Sequence, residues 1–504
     1  MFKGIKIYLP AIEDMPFFYE FADMCRDYGY NTLVMELGGA MEYKSHPEIN
    51  EAWVRYCKLF RDYQGQSLDV QHSAKWAKNS IHCENGGGSW IPQEEIKKMI
   101  AYCKERDIEI IPEVPCLSHS DYLLQAHPEF AENTEDVLPD AYCPQNPGIY
   151  QLLFELLDEI IALFGPKTIH IGHDELYTIG LCEKCRGKDP VELFSEDIKK
   201  IYRYLKDRGI QTMLWSDKLL NAHSKRGKDW GGAYRTIYSE KTGEFLHHVP
   251  ELYPAIDKIP KDVKIMHWYW SVRMELEEEF LTRGFWTVYG NFAPGGFPEW
   301  GRRFQQGIQG FCISNWSRMN RAHMQRNGIF FHMAYANQML AADFDETKFQ
   351  ESFMKATDNL YAYMNRKTLM REHIEITHTT SAFHEHHPFV DGFEIDYSKD
   401  LLGSYEIRYK DGSVETVPVT YGLNIGNKNR NFERTMDAEF DLLKCAPHLL
   451  EAAGSCKYEW IDGEMWYTFC IPMKKPAEKV AFYPKGENGD EVEIKQLQFI
   501  TAKE

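Results

Sequence analysis

From residue 1 to about residue 345, short β-branched runs alternate with longer stretches whose apolar residues recur at three- and four-residue spacing. That alternation predicts repeated βα units around a parallel sheet. Eight runs have strand character: Gly4–Leu9, Asn31–Leu37, Ile108–Val114, Thr168–Gly172, Gln211–Trp215, Val263–Trp268, Phe285–Tyr289 and Gly307–Ser314. Helical periodicity follows most of them, over Pro92–Glu105, Ile149–Phe164, Glu192–Asp207 and Asn327–Leu340. The expected fold class is α/β, a (β/α)8 TIM barrel over residues 1–345, with its chemistry at the C-terminal strand ends. A long excursion separates the second strand from the helix at Pro92 and contains Gly86-Gly87-Gly88. Excursions of that length tend to be functional lids.

The pattern changes after Ala342. A helical stretch, Glu346–Met364, leads into a segment rich in histidine (His373, His378, His384, His386, His387), and residues 346–389 read as a helical connection. The histidine spacing matches no ligand template, so a solvated linker is expected. From Val390 the period becomes two, with strands over Tyr405–Tyr409, Val414–Val419, Trp466–Ile471 and Val480–Tyr483 and a turn at Lys410-Asp411-Gly412. Residues 390–504 therefore read as a C-terminal β-sandwich-like domain.

Composition narrows the partners. The 504 residues are 43% hydrophobic and 26% charged, as in soluble globular chains. The 57 Lys+Arg against 76 Asp+Glu give a net charge of −19, a field that repels polyphosphate and anionic lipid. Neither nucleic acid nor membrane is expected as a partner, and no apolar stretch reaches the roughly 20 residues of a membrane span. The start, MFKGIKIYLP, runs directly into a strand without the regions of a secretory signal. Twelve irregularly spaced cysteines fit a reducing compartment better than a disulfide scaffold, so a cytoplasmic location is expected. A homo-oligomer remains open.

The stretch richest in chemistry is His170-Ile171-Gly172-His173-Asp174-Glu175, which closes the fourth strand. Two adjacent carboxylates at a strand end point opposite ways, so each can serve a different part of a ligand. Trp215 ends the fifth strand, Trp268 and Trp270 close the sixth, Tyr289 closes the seventh and Trp316 follows the eighth. Flat aromatic faces suit the C–H face of a sugar ring. As a set around an acid pair they favour a glycosidase pocket, because breaking a glycosidic bond requires a proton on the leaving oxygen and support for an oxocarbenium-like transition state.

These residues resemble a known family. His170-Ile-Gly-His-Asp-Glu175 is similar to the His-x-Gly-Gly-Asp-Glu signature of glycoside hydrolase family 20, the β-N-acetylhexosaminidases. Ile111-Pro-Glu-Val-Pro-Cys-Leu-Ser-His119, followed by His127-Pro-Glu129, resembles that family's third-strand segment. Trp215 in Leu-Trp-Ser-Asp, Trp268 in His-Trp-Tyr-Trp, Tyr289 in Val-Tyr-Gly-Asn and Trp316 in Ser-Asn-Trp-Ser extend the likeness over the barrel. The resemblance implies removal of β-linked N-acetylhexosamine, GlcNAc or GalNAc, from oligosaccharides or small glycosides without a cofactor. It also implies retaining, substrate-assisted catalysis, in which the substrate's acetamido oxygen attacks the anomeric carbon to give an oxazolinium. Glu175 would then be the general acid and base, with a pKa raised by its pocket and by Asp174. Asp174 would hold the acetamido N–H, and Tyr289 would donate to the acetamido oxygen. Trp215, Trp268, Trp270 and Trp316 would wall the sugar, and His119 would relay protons to Glu175.

The sequence departs from the family pattern in four places. No Arg follows the first strand at Leu9-Pro10-Ala11, and Met35-Glu36-Leu37-Gly38-Gly39 lacks an Asp, leaving Glu36 and Glu42 as substitutes. His173 stands for the second Gly of the signature and Pro115 for an Asp. A divergent branch or a related family is indicated.

Two other readings compete. A metal-dependent hydrolase barrel could draw on His119, His170, His173, Asp174 and His223, but His170 and His173 face opposite ways on one strand. A silent glycan-binding barrel would have no use for an adjacent acid pair. Cys182-x-x-Cys185, with Cys83, Cys116 and Cys143 on neighbouring loops, is the candidate structural zinc pair. A lone CxxC without a matched second pair reads as free thiols, so no metal is expected.

Overall fold

Eight parallel strands close into a barrel: β1 (Phe2–Tyr8), β2 (Thr32–Glu36), β3 (Glu109–Cys116), β4 (Thr168–Gly172), β5 (Gln211–Trp215), β6 (Lys264–His267), β7 (Thr287–Tyr289) and β8 (Gly310–Ser314). β1 pairs with both β2 and β8, which completes the ring. The computed structural model describes residues 1–62, 64–65, 75–76, 80–239, 241–386, 389–486 and 491–501.

Side-chain alternation sorts the barrel residues into two cores. Ile5, Ile7 and Leu9 pack outward under the helices. A separate inner cluster of Val34, Ile111, Met213, Trp215, Met266, Val288 and Cys312 fills the lumen, with Phe2, Trp268, Trp286 and Trp316 against it. The lumen is thus a packed plug, and only its C-terminal mouth is left for a ligand.

The outer layer comprises α1 (Met15–Asp27), α2 (Pro47–Lys58), α3 (Gln93–Lys104), α4 (Pro147–Phe164), α5 (Pro190–Lys206) and α6 (Ile329–Met339). Their starts carry local signals. Asn146 accepts the Gly148 N–H at 3.1 Å ahead of Pro147 in α4, and Asp189 accepts the Val191 N–H at 2.9 Å ahead of Pro190 in α5. The expected helix over Asn327–Leu340 is interrupted instead, because Gly328 adopts φ 67° between Arg321–Arg326 and α6. The β5–β6 connection carries two short antiparallel pairs, Asn221–His223 with Asp229–Gly231 and Arg235–Tyr238 with Phe245–Val249.

The excursion after β2 lies partly outside the described residues. Its glycine turn is a packed tie and not a lid hinge: Asn85 Oδ1 accepts the Leu9 N–H at 2.9 Å, and the Gly86 N–H donates to the Leu9 carbonyl at 3.0 Å. A Cβ on Gly87 would lie 2.5 Å from the Ala11 Cβ.

After α7 (Phe349–Met364) come β9 (His373–Thr380), β10 (Leu401–Tyr409), β11 (Val414–Thr420), β12 (Lys457–Ile461), β13 (Glu464–Pro472), β14 (Ala477–Pro484) and β15 (Val492–Ile500). They form sheets of order β12-β13-β9-β15 and β11-β10-β14. Tyr405 and Phe469, with ring centroids 6.0 Å apart, bring the two face to face. The expected boundary at residue 390 is therefore wrong. β9 is paired on both sides within the sandwich, so that domain begins at His373. The histidines are not a solvated linker either: buried His378 faces the Tyr405 hydroxyl at 3.0 Å, and His384 meets Asp400 at 3.0 Å. His387 lies outside the described residues. The sandwich also braces the barrel, since buried Glu84 accepts the Gly392 N–H at 2.6 Å. Among the described residues no helix is long and apolar enough to cross a membrane.

Candidate active site

A polar layer sits on the apolar plug. Lys6, fully buried on β1, pairs with Glu36 at the end of β2 at 2.7 Å and lies 3.3 Å from the centroid of the Trp316 ring. The other Glu36 oxygen meets His82 Nδ1 at 2.8 Å. Next to them, Glu113 on β3 accepts the Trp215 indole N–H at 2.7 Å. Burial, aided by the charges of Glu36 and Asp174 against the opposing Lys6, pushes the Glu113 carboxyl up to about 8, so it is mainly the neutral acid at pH 7. Burial likewise pushes His170 down to about 3, leaving it a neutral neighbour of Glu113 at 3.4 Å.

The acid pair stands above this layer where β4 ends. Gly172 has φ 70°, and a Cβ there would lie 3.1 Å from the Pro115 Cα, so the close approach of β4 to β3 calls for glycine. The next residues keep a left-handed backbone at His173 (φ 67°) and Glu175 (φ 47°), a conformation costly outside glycine. His173 offsets that cost by turning away from the mouth, where its Nε2 meets the buried Asp197 carboxylate of α5 at 2.8 Å. This is how a side chain replaces the family's second Gly. Asp217, just past β5, accepts the Glu175 backbone N–H at 2.9 Å.

His119 Nε2 lies 3.4 Å from Asp174 Oδ2 and 3.4 Å from Glu175 Oε2, and its ring stacks on His82 at 4.6 Å. Burial alone would push the His119 pKa down, but the two carboxylates raise it well above the ordinary histidine value. Burial alone would push Glu175 up, yet contact with His119 brings it below the usual carboxylate value. The expectation of a raised Glu175 pKa is thus corrected for the resting site: the proton rests on His119, between two ionised acids. Asp217 is pushed up to about 7, first by burial and then by Asp174 and Glu175, with Lys218 opposing.

Trp215 is a buried member of the lumen cluster, and Trp268 and Trp316, partly buried, pack against that cluster. The Trp268 indole N–H donates to Asp217 Oδ1 at 3.2 Å, and that of Trp316 to Asn291 Oδ1 at 2.8 Å. Three other sequence-derived site residues lie elsewhere. Tyr289 is fully buried in the outer core, its hydroxyl 3.3 Å from Glu277 Oε1 and its ring stacked on Phe292. Val288 occupies the lumen, so alternation turns Tyr289 outward. Trp270 is also core, donating to the Gly290 carbonyl at 2.8 Å and packing on Phe297. Glu42 braces the start of α3, accepting the Gln93 N–H at 2.9 Å. Glu36, not Glu42, neighbours the histidines. Lys6, His82, Glu113 and Asp217 are the site residues that sequence reasoning left without a role. Lys6, Glu113 and Asp217 are buried charged residues on a strand or just beyond its end, which was the available signal, whereas His82 lies far along the excursion after β2 and carried none. Cys182 and Cys185 meet Cys143, whereas Cys83 and Cys116 stay apart from them.

The strand-end acid pair, with the tryptophans beside it, stands where a (β/α)8 barrel carries its active site. Residues 42–279 match the model for the glycosyl hydrolase family 20 catalytic domain, a span that takes in β3 to β6 and with them Asp174, Glu175, Asp217 and Trp268. The chain is 31% identical over 139 residues to a beta-hexosaminidase of Akkermansia muciniphila, covering 25% of this chain and 28% of that one. It is 31% identical over 164 residues to a beta-hexosaminidase of Vibrio furnissii, covering 30% and 24%. The matches thus span about a quarter of these relatives' lengths. The crystal structure of a beta-N-acetylhexosaminidase from Bacteroides fragilis superposes with a TM-score of 0.51 at 16% identity, over 73% of this chain and 71% of that one, and shares the fold. Over residues 42–279 the chain is similar to the glycosyl hydrolase family 20 catalytic domain.

Proposed function

We propose that the protein is a β-N-acetylhexosaminidase that removes terminal GlcNAc or GalNAc with the help of the substrate's own acetamido group. One observation carries the reading: His119 bridges Asp174 and Glu175 at the tryptophan-lined mouth, 3.4 Å from each. A sugar seated on Trp268 and Trp316, above buried Trp215, presents its acetamido N–H to Asp174. That new hydrogen bond weakens the hold of Asp174 on His119, and His119 passes its proton to Glu175. Glu175 then protonates the leaving oxygen while the acetamido oxygen attacks the anomeric carbon and the glycosidic bond breaks. Asp174 supports the positive charge of the oxazolinium. In the second half, Glu175 takes a proton from water as that water opens the ring, which restores the acetamido group with net retention. The absence of disulfides among the twelve cysteines supports a cytoplasmic location as part of the same proposal.

The test is a panel of p-nitrophenyl glycosides with a thiazoline analogue of the cyclised intermediate. Turnover of the β-GlcNAc or β-GalNAc compound but not of the non-acetylated sugars, together with strong thiazoline inhibition, is expected. Equal turnover of non-acetylated sugars, or no inhibition at millimolar thiazoline, would overturn the mechanism.

A further inference from the structure

Two loops at the mouth of the barrel bring three thiols and a carboxylate together. Cys143 Sγ lies 3.5 Å from Cys185 Sγ and 3.4 Å from Cys182 Sγ, and with a Glu132 carboxylate oxygen the four donors fall within 4.8 Å of one another. Those sulfur separations are far beyond the roughly 2.05 Å of a disulfide. They approach the spacing of about 3.8 Å that sulfurs have on the edge of a tetrahedron around an ion about 2.3 Å from each.

Backbone geometry builds the cluster from both sides. In the first loop Ala131 and Tyr142 form an antiparallel bridge, the Glu132 N–H donates to the Ala141 carbonyl at 2.9 Å, and the Cys143 N–H to the Phe130 carbonyl at 2.7 Å. That small hairpin places Glu132 beside Cys143. In the second loop the Cys185 and Arg186 N–H groups both donate to the Cys182 carbonyl, at 3.2 and 2.8 Å. The tight turn aims both cysteines at the same point.

Glu132 supplies an independent sign of a missing partner. It is 1% exposed, its Oε1 accepts the Leu181 N–H at 2.8 Å, and its Oε2 is buried without a hydrogen-bond partner. A buried, unpartnered carboxylate oxygen is costly to desolvate. A cation amid the thiols removes that cost.

We propose that Glu132, Cys143, Cys182 and Cys185 hold a zinc ion that pins the loop after β3 to the loop after β4. Three thiolates and a carboxylate complete a four-coordinate shell with no open position, the arrangement of a structural site. On binding, the cysteines release their thiol protons to solvent and no oxidant or reductant is involved. The pinned segment runs back from Cys182 to Glu175, so the ion steadies the acid pair from the outside.

The test uses the full chain purified without chelator or added metal. Elemental analysis should find close to one zinc per chain, and a Cys182→Ser/Cys185→Ser variant should contain close to none. Exchange into cobalt should give the wild type an intense thiolate-to-cobalt charge-transfer band. Cys143→Ser should weaken that band, and Glu132→Gln should leave the band but release the ion to a competing chelator sooner. The cobalt spectrum is read on the wild type, so it decides the matter even if a cysteine variant does not fold. Wild-type protein with titratable thiols that takes up neither zinc nor cobalt would overturn the proposal. So would an intact mass and thiol count showing a disulfide among these cysteines.

Discussion

Asp217 holds Glu175 by the backbone, accepting its N–H at 2.9 Å with one carboxylate oxygen and the Trp268 indole N–H at 3.2 Å with the other. Glu175 sits at φ 47°, a conformation that persists only when its surroundings enforce it. Asp217 therefore acts as a positioning residue linking the acid to the wall of the pocket. Asp217→Ala should lower kcat by about a hundredfold, as expected when a catalytic group loses its alignment. Asp217→Asn keeps one acceptor and should recover part of that loss. Steady-state kinetics of both variants would show it, and equal kcat in Asp217→Ala and wild type would refute the assignment.

Glu175→Gln should separate substrates by leaving group. Without the acid, glycosides with alkyl or sugar leaving groups should lose three or more orders of magnitude in kcat/KM, because an alkoxide cannot depart unprotonated. An activated 2,4-dinitrophenyl glycoside needs little protonation in the first step and should lose far less. A uniform loss across leaving groups would place Glu175 outside acid catalysis.

The charge on His119 sets the pH range of the site. Its pKa is raised by Asp174 and Glu175, while its own charge keeps both of those low. The wild-type cluster thus keeps a single proton from below the ordinary carboxylate range to above the ordinary histidine range. In His119→Gln the carboxylates lose their cation and their pKa values rise, which moves the acidic limb of kcat/KM upward. The transferable proton now sits on a carboxylate and leaves at lower pH than it left His119, which moves the basic limb downward. The bell should narrow from both sides, and a profile of unchanged width would contradict the bridge.

Tyr289→Phe distinguishes the structure from the sequence expectation. The hydroxyl lies 3.3 Å from Glu277 in the outer core, so its loss should cost about 1 kcal/mol of stability and leave kcat within a few-fold of wild type. A hundredfold fall in kcat with unchanged melting temperature would mean that Tyr289 reaches the substrate after all.

Buried Glu84 makes the contact between barrel and sandwich depend on pH. Burial and the nearby Asp391 push its pKa up to about 8 from an ordinary value near 4.5. Below the lower value both folded and unfolded chains are protonated there, and the contact contributes fully. Between the two values only the unfolded chain ionises, and stability falls by roughly 1.4 kcal/mol per pH unit. Glu84→Gln keeps an acceptor for the Gly392 N–H without that titration. It should match the wild type in thermal melts at pH 5 and exceed it at pH 9.

The sequence by itself determined the barrel, the acid pair at the end of β4 and the presence of a C-terminal β-domain. Periodicity along the chain and a contiguous motif are local signals, and both survive folding unchanged. It did not determine which strand-end aromatics face the mouth. β7 has only three residues, all buried, and a strand covered on both faces shows no polar phase from which to read its direction. Tyr289 and Val288 are equally apolar neighbours in the sequence, and only closure of the barrel turned one out and the other in. The same holds for the charges. Lys6 meets Glu36, His119 meets Glu175, Asp217 meets the Glu175 backbone, and Glu132 and Cys143 meet the Cys182–Cys185 turn. Each of these contacts joins different loops or strands across the barrel mouth. Their protonation states follow from burial and from neighbours distant in sequence, and only the tertiary structure supplies those.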